Sequence, residues 1–160
     1  MKIFVSGLYC SGKTTFSKKF AQRNEIEYVS FDEYFNYWDK NFDAQAQRLF
    51  ESLGDRHFAI DAIPFNSGLE SFTEFNKYYE EHRDVSIIFV FCPDFNIWFK
   101  RLEMREDKSP NLEDCKRDYK YNNRDFLKKI HDKIMIFYNS MNDELVDYSQ
   151  FKQLTSWLDK

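Results

Sequence analysis

Gly7-Leu8-Tyr9-Cys10-Ser11-Gly12-Lys13-Thr14-Thr15 satisfies every fixed position of the pattern G-x-x-x-x-G-K-[ST]. Its flanks agree with it. Lys2-Ile3-Phe4-Val5 is a short apolar run of the kind that forms a buried strand. After the motif, Phe16, Phe20 and Ala21 recur at helical spacing among Lys18, Lys19 and Gln22. A strand, a glycine turn and a helix N-terminus in succession predict an anion site, because successive backbone N–H groups point inward and the helix dipole adds positive potential. Gly7, Tyr9, Cys10, Ser11, Gly12, Lys13, Thr14 and Thr15 are the residues such a loop sets around a phosphate chain. In that arrangement Lys13 reaches the outer phosphates and the Thr14 hydroxyl holds Mg²⁺.

Beyond this loop, a length of 160 residues predicts one domain, 1–160, able to bury a sizeable core. No stretch approaches the ~20 apolar residues of a membrane span, and the sequence enters a strand directly rather than a signal sequence. Cys10, Cys92 and Cys115 are odd in number and far apart, without metal-ligand spacing. These features predict a cytoplasmic protein. The net charge of −4 gives no overall basic footprint for duplex DNA, although it leaves room for a local basic patch. With 18 Phe and 10 Tyr, the core is expected to be built from Phe where Leu is usual.

The helix after Lys13 should end near Asn24. Ile26 to Phe31 alternates as a second strand ending at Asp32-Glu33, and an irregular, aromatic-rich helical stretch runs from Tyr34 to Leu53. Phe58 to Ile63 reads as the third strand, stopped by Pro64, with a helix over about Ser67 to His82. Val85 to Phe91 is the most hydrophobic run and predicts a parallel strand buried on both faces. Asp94 caps a helix to about Glu106, and Asn111 caps the next one after the Asp107–Pro110 turn. Phe126, Leu127, Ile130, Ile134 and Phe137 recur every three or four residues, so Ile134–Phe137 is read as helix. Glu144–Tyr148 is then the last strand, with a final helix through Phe151, Leu154 and Leu158. Strands alternating with helices at this spacing predict an α/β fold, a parallel sheet wound on both faces.

In such a sheet, ligands gather at the carboxyl ends of the strands. Asp32 is expected there, placed to accept a proton from an attacking hydroxyl or to hold Mg²⁺. Asp61 ends an otherwise apolar strand, where an unpartnered carboxylate is costly and a metal-supporting role is expected. Arg101 and Arg105 stand before the Asp107–Pro110 turn, and Arg117 and Arg124 after it. Their guanidinium forks suit phosphate oxygens, with Arg105 and Arg117 the first candidates to offset charge on a transferring phosphoryl group. The aromatics of 34–50 offer stacking surface for a flat acceptor, and Arg48 and Arg56 are candidates for an acceptor's charge. His57, His82 and His131 show no nucleophile or metal pattern.

With these residues placed, the chain resembles the P-loop kinases of small metabolites and nucleotides, the adenylate-kinase-like group, over nearly its whole length. The likeness rests on Gly7–Thr15, Asp32 after the second strand, Asp61-Ala62-Ile63-Pro64 after the third, Arg101 and Arg105 before a lid, and Arg117 and Tyr121 after it. It implies a five-stranded parallel sheet of order 2-3-1-4-5, ATP with Mg²⁺ as donor, Arg101 beside the nucleotide, and a short lid at about 105–116. It also implies that the loop after the last strand lies beside adenine. Two departures matter. Phe65 stands where nucleoside monophosphate kinases carry an Arg, and the lid is too short to be a separate inserted domain. An Asp after the second strand is similar to the base of kinases acting on hydroxyls, so the expected acceptor is a hydroxyl of a small, nucleoside-like or nucleotide molecule. The alternatives are a nucleoside monophosphate with Arg48 or Arg56 as replacement clamp, a hydroxyl on DNA or RNA, or a nucleotide-dependent switch with no acceptor. A monomer or homodimer is expected.

Overall fold

In a computed structural model, which describes residues 1–7, 9–35, 41–61, 73–106, 111–118 and 135–156, the apolar runs become strands. These are β1 (Lys2–Gly7), β2 (Glu27–Ser30), β3 (Phe58–Asp61), β4 (Val85–Phe91), β5 (Met135–Asn139) and β6 (Glu144–Val146). They form one sheet of order β2-β3-β1-β4-β5-β6. β1 to β5 pair in parallel, and β6 pairs antiparallel with β5 at the edge. The described helices are α1 (Lys13–Arg23), α2 (Phe31–Tyr34), α3 (Phe42–Leu53), α4 (Thr73–Glu81), α5 (Phe95–Glu103), α6 (Leu112–Asp118) and α7 (Tyr148–Leu154).

Alternation along the central strands sends side chains to both faces, and both faces are covered. Phe4, Phe58, Ile60 and Ile87 pack with Leu49, Phe50 and Leu53 of α3 and with Tyr78 of α4. Further along that face Phe89, Phe91 and Phe137 meet Phe151 of α7. On the opposite face Ile3, Val5, Ala59, Ile88 and Val90 pack against Phe16 and Ala21 of α1. The expected Phe-built core is present: Phe4, Phe58, Phe89, Phe91, Phe137 and Phe151 are fully buried. Each such ring contributes about 1.5–3 kcal/mol on burial.

The parallel order 2-3-1-4-5 agrees with expectation, but the fifth strand does not lie where the sequence reading put it. Met135–Asn139 is strand, in register with Ile87–Phe91, so the reading of Ile134–Phe137 as helix is corrected. Glu144–Val146, read as the last parallel strand, is the antiparallel edge, with Leu145 63% exposed. A strand covered on both faces is apolar throughout, so local periodicity cannot separate it from a buried helix. The lid tip at 107–110 and the stretches 62–72, 119–134 and 157–160 lie outside the described residues, as do Phe65, Tyr121, Arg124 and His131.

Candidate active site

The glycine loop runs from the end of β1 into α1. Gly7 has φ +147°, and a Cβ there would run into the Val90 carbonyl of β4 and lie 3.1 Å from Ser11 Oγ. Only glycine lets the strand end so close to its neighbour. Cys10 (φ 57°) and Gly12 (φ 98°) both adopt left-handed conformations, which turn backbone N–H groups toward one side. Such strain in a non-glycine residue concentrates at ligand-binding turns.

The N-terminus of α1 is left open. Gly12 caps it without a side chain, and its first turn holds no acidic residue. By contrast Ser30, Asn41, Asp94, Asn111 and Asp147 each accept a backbone N–H at the start of α2, α3, α5, α6 and α7. The first turn of α1 thus keeps its dipole with no side-chain cap and no acidic residue set against it, as an anion site needs. Ser11 Oγ, fully buried beside this turn, has no hydrogen-bond partner.

Lys13 is half-buried with its ammonium donating to Gly7 O at 3.2 Å. Burial pushes its pKa down to about 8; the fields of Cys10, Asp32 and Asp61 oppose the fall, and the Arg105 charge adds to it. Lys13 Nζ and Arg105 Cζ lie 5.8 and 5.9 Å from the centre of the Tyr9 ring. Tyr9 is itself fixed from below, because buried Trp98 of α5 donates its indole N–H to Tyr9 O at 2.6 Å. Two cations therefore share one aromatic side chain on the loop that leads into α1. Thr14 and Thr15 are exposed on the first turn of α1.

Asp32 is exposed on α2, immediately after the carboxyl end of β2. Asp61 ends β3 with 1% exposure, opposite Ser30 in the ladder. Its oxygens are engaged: Oδ2 accepts from Tyr28 OH at 3.0 Å and Oδ1 from Phe31 N–H at 3.3 Å. Arg101 is exposed on α5, its charge felt at Cys92. Arg117 lies on α6, its side chain outside the described part. Arg48 is exposed on α3. Arg56 lies at the opposite end of the sheet, donating to Leu53 O and Ser52 O and pairing with Glu27 at 2.6 Å. Glu27 opens β2, so an acceptor clamp from Arg56 is excluded by position.

Tyr28, Trp98 and Ser140 join the site without a signal in the sequence. Ser140, just past β5, lies 3.5 Å (Cβ) from where a Cβ on Gly12 would stand; it was lost with the misplaced strand. Tyr28 and Trp98 carry no motif, only strand and helix positions. The cysteines, scattered in sequence, gather in space: Cys10 packs against the cluster of Cys92, Trp98, Leu102 and Cys115, and none of the three is in a disulfide.

Parallel strands in the order 2-3-1-4-5, with a glycine-lysine loop leading from the central one into a helix, are the fold of P-loop small-molecule kinases, and this chain has that fold with an antiparallel sixth strand at its edge. YorR protein from Bacillus subtilis, solved with phosphorylated GDP, is similar with TM-score 0.62 and 10% identity, over 99% of this chain and 97% of that one. A gluconokinase from Sinorhizobium meliloti 1021 is similar with TM-score 0.56 and 9% identity, over 99% and 91%. A shikimate kinase from Bacteroides thetaiotaomicron shares 19% identity over 99% and 96%, with TM-score 0.46. No protein-family model matches the sequence, and no curated protein matches it. No described helix is long and apolar enough to cross a membrane.

Proposed function

We propose that the protein is an ATP-dependent kinase that transfers the γ-phosphoryl group to a hydroxyl of a nucleoside-like or nucleotide acceptor. The observation that carries this reading is the convergence at the glycine loop. There the Lys13 ammonium and the Arg105 guanidinium share the Tyr9 ring at an uncapped helix end. Like charges held together in a partly desolvated site suit an anion of several charges, such as a triphosphate. Fold neighbours bearing phosphorylated GDP or named a gluconokinase are in keeping with it.

In this mechanism Lys13 and the loop N–H groups hold the β- and γ-phosphates, with Arg101 beside the nucleotide and Arg105 and Arg117 offsetting charge on the transferring group. Asp32 takes the proton of the acceptor hydroxyl as its oxygen bonds to the γ-phosphorus, and the bond to the ADP oxygen breaks. The exposed Thr14 hydroxyl would hold Mg²⁺ with the phosphates. So small a protein donor set suits an ion that keeps most of its water. The ion would neutralise phosphate charge. Tyr34, 40% exposed and edge-on to Phe35 at 5.3 Å, lies two residues from Asp32 and offers a flat surface for a base.

Asp32→Asn tests the assignment. It should lower acceptor-dependent turnover by roughly 10²–10⁴-fold, the usual contribution of a positioned base, while MgATP affinity changes little. Wild-type turnover in this variant would overturn Asp32 as the base.

A further inference from the structure

Tyr28 belongs to β2, whose side chains should alternate between faces, and its ring packs on the α1 side with Lys18 Nζ 5.4 Å above it. Its hydroxyl crosses to β3 and donates to Asp61 Oδ2 at 3.0 Å. The other oxygen of Asp61 accepts the N–H of Phe31, the first residue of α2. Phe31 is fully buried and stacks on Phe35 at 4.2 Å, so this short helix is held from within at both ends. The next residue is Asp32.

We propose that Tyr28 and Asp61 form a brace that fixes the first turn of α2 and thereby orients the Asp32 carboxylate. Asp61 acts through the Phe31 N–H rather than on a metal. Tyr28 and Asp61 are positioning residues, and their effect on turnover rests on the kinase reading above. The geometry is that of a buried carboxylate satisfied by two donors, one from a neighbouring strand and one from the backbone it must hold. α2 spans Phe31–Tyr34, one turn, too short to keep its own orientation without tertiary contacts. A phenol with its pKa raised to about 12, by burial and then by its bond to Asp61, stays a donor throughout the working range. Asp61 also sits in the field of Lys13, so the brace joins the acceptor side of the site to the phosphate loop.

The brace and a metal role part company in Asp61→Asn. An asparagine accepts from Phe31 N–H through its oxygen and faces the Tyr28 oxygen with its amide, so the link survives without the charge. A metal ligand would not be replaced so well. The test compares Asp61→Asn, Asp61→Ala and Tyr28→Phe for amide exchange at Phe31 and Asp32, kcat with acceptor, MgATP affinity, and the Mg²⁺ concentration for half-maximal rate. The brace predicts exchange at Phe31 faster by at least about tenfold in Asp61→Ala and clearly slower than that in Asp61→Asn. It predicts that kcat falls in the same order, by roughly 10²-fold in Asp61→Ala. Tyr28→Phe should lower kcat by about tenfold, with MgATP affinity within about twofold of wild type. Half-saturation by Mg²⁺ should not move in any variant.

A rise in that Mg²⁺ concentration in Asp61→Asn, or a kcat loss as large as in Asp61→Ala, would overturn the brace in favour of a metal or charge role. Unchanged Phe31 exchange in Asp61→Ala would overturn it outright, as would wild-type kcat in Tyr28→Phe. Should Asp61→Ala fail to fold, Tyr28→Phe and Asp61→Asn decide alone. The exchange readings need no acceptor, so they judge the brace even where the kinase reading fails.

Discussion

Lys13 gives the site a proton signature. With a pKa of about 8 in the free protein, its amine is half-protonated near pH 8. A triphosphate against that nitrogen favours the charged form and draws the pKa back toward the ordinary 10.5. Nucleotide binding should therefore take up roughly half a proton at pH 8 and nearly one at pH 9, and almost none at pH 6.5. Apparent affinity should fall with rising pH above 8. The two pKa values give a loss on the order of 70-fold between pH 7 and 10, or about 2.5 kcal/mol. Stability of the free protein has the opposite slope in the same window. Between pH 8 and 10.5 the unfolded chain holds a proton that the folded lysine has released, so this group's contribution becomes more favourable as pH rises. Titration calorimetry in buffers of different ionisation enthalpy measures the uptake directly. Lys13→Arg is the control, because its guanidinium stays charged throughout. Equal uptake by wild type and Lys13→Arg at pH 8–9 would refute the reasoning, since the depressed lysine would then be absent or untouched by the nucleotide.

Three further perturbations probe the framework. Gly7→Ala places a methyl against the Val90 carbonyl at φ +147° and should cost about 2–6 kcal/mol from overpacking and backbone strain. That is a fall in Tm on the order of 5–20 °C; an unchanged melting curve would contradict the close approach of β1 and β4. Trp98→Phe removes the indole donor to Tyr9 O and should destabilise by about 1–3 kcal/mol, read in urea unfolding, with MgATP affinity weakened severalfold as the loop loosens. Arg56→Ala breaks an exposed pair at the far end of the sheet and should cost less than about 1 kcal/mol with kcat unchanged; a tenfold loss of kcat would return Arg56 to the acceptor site.

The parts of the fold that were legible in the sequence are those whose signal is local. Gly7, Gly12 and Lys13 name the loop because each fixed position has a backbone or charge requirement that no packing partner alters. Val85–Phe91 was legible because a run of that hydrophobicity has nowhere to go but the centre of a sheet. Asp94, Asn111 and Asn24 marked helix ends correctly, since capping chemistry spans three or four residues. Met135–Asn139 was not legible. A strand buried on both faces has lost the alternation that identifies it, and the preceding apolar residues extend a helical period across it. At the site, Asp32 and Asp61 were placed by topology at the ends of β2 and β3. What Asp61 touches was beyond reach, because Tyr28 and Phe31 meet it across two strands without a shared motif. In sequence Arg56 was a candidate for an acceptor's charge. Only the register of Glu27 with Phe58 shows which end of the sheet it serves.

Acceptor-stimulated ATP turnover decides whether a phosphoryl group reaches an acceptor. With Mg²⁺ present, the protein is assayed against nucleosides, nucleoside monophosphates, sugar acids and 5′-hydroxyl oligonucleotides, with products identified by mass. One nucleoside-like or nucleotide acceptor should raise turnover far above the water background and gain a single phosphate as a hydroxyl ester. Lys13→Ala should abolish that stimulation. Tight ATP binding with turnover indifferent to every acceptor would rule out the kinase.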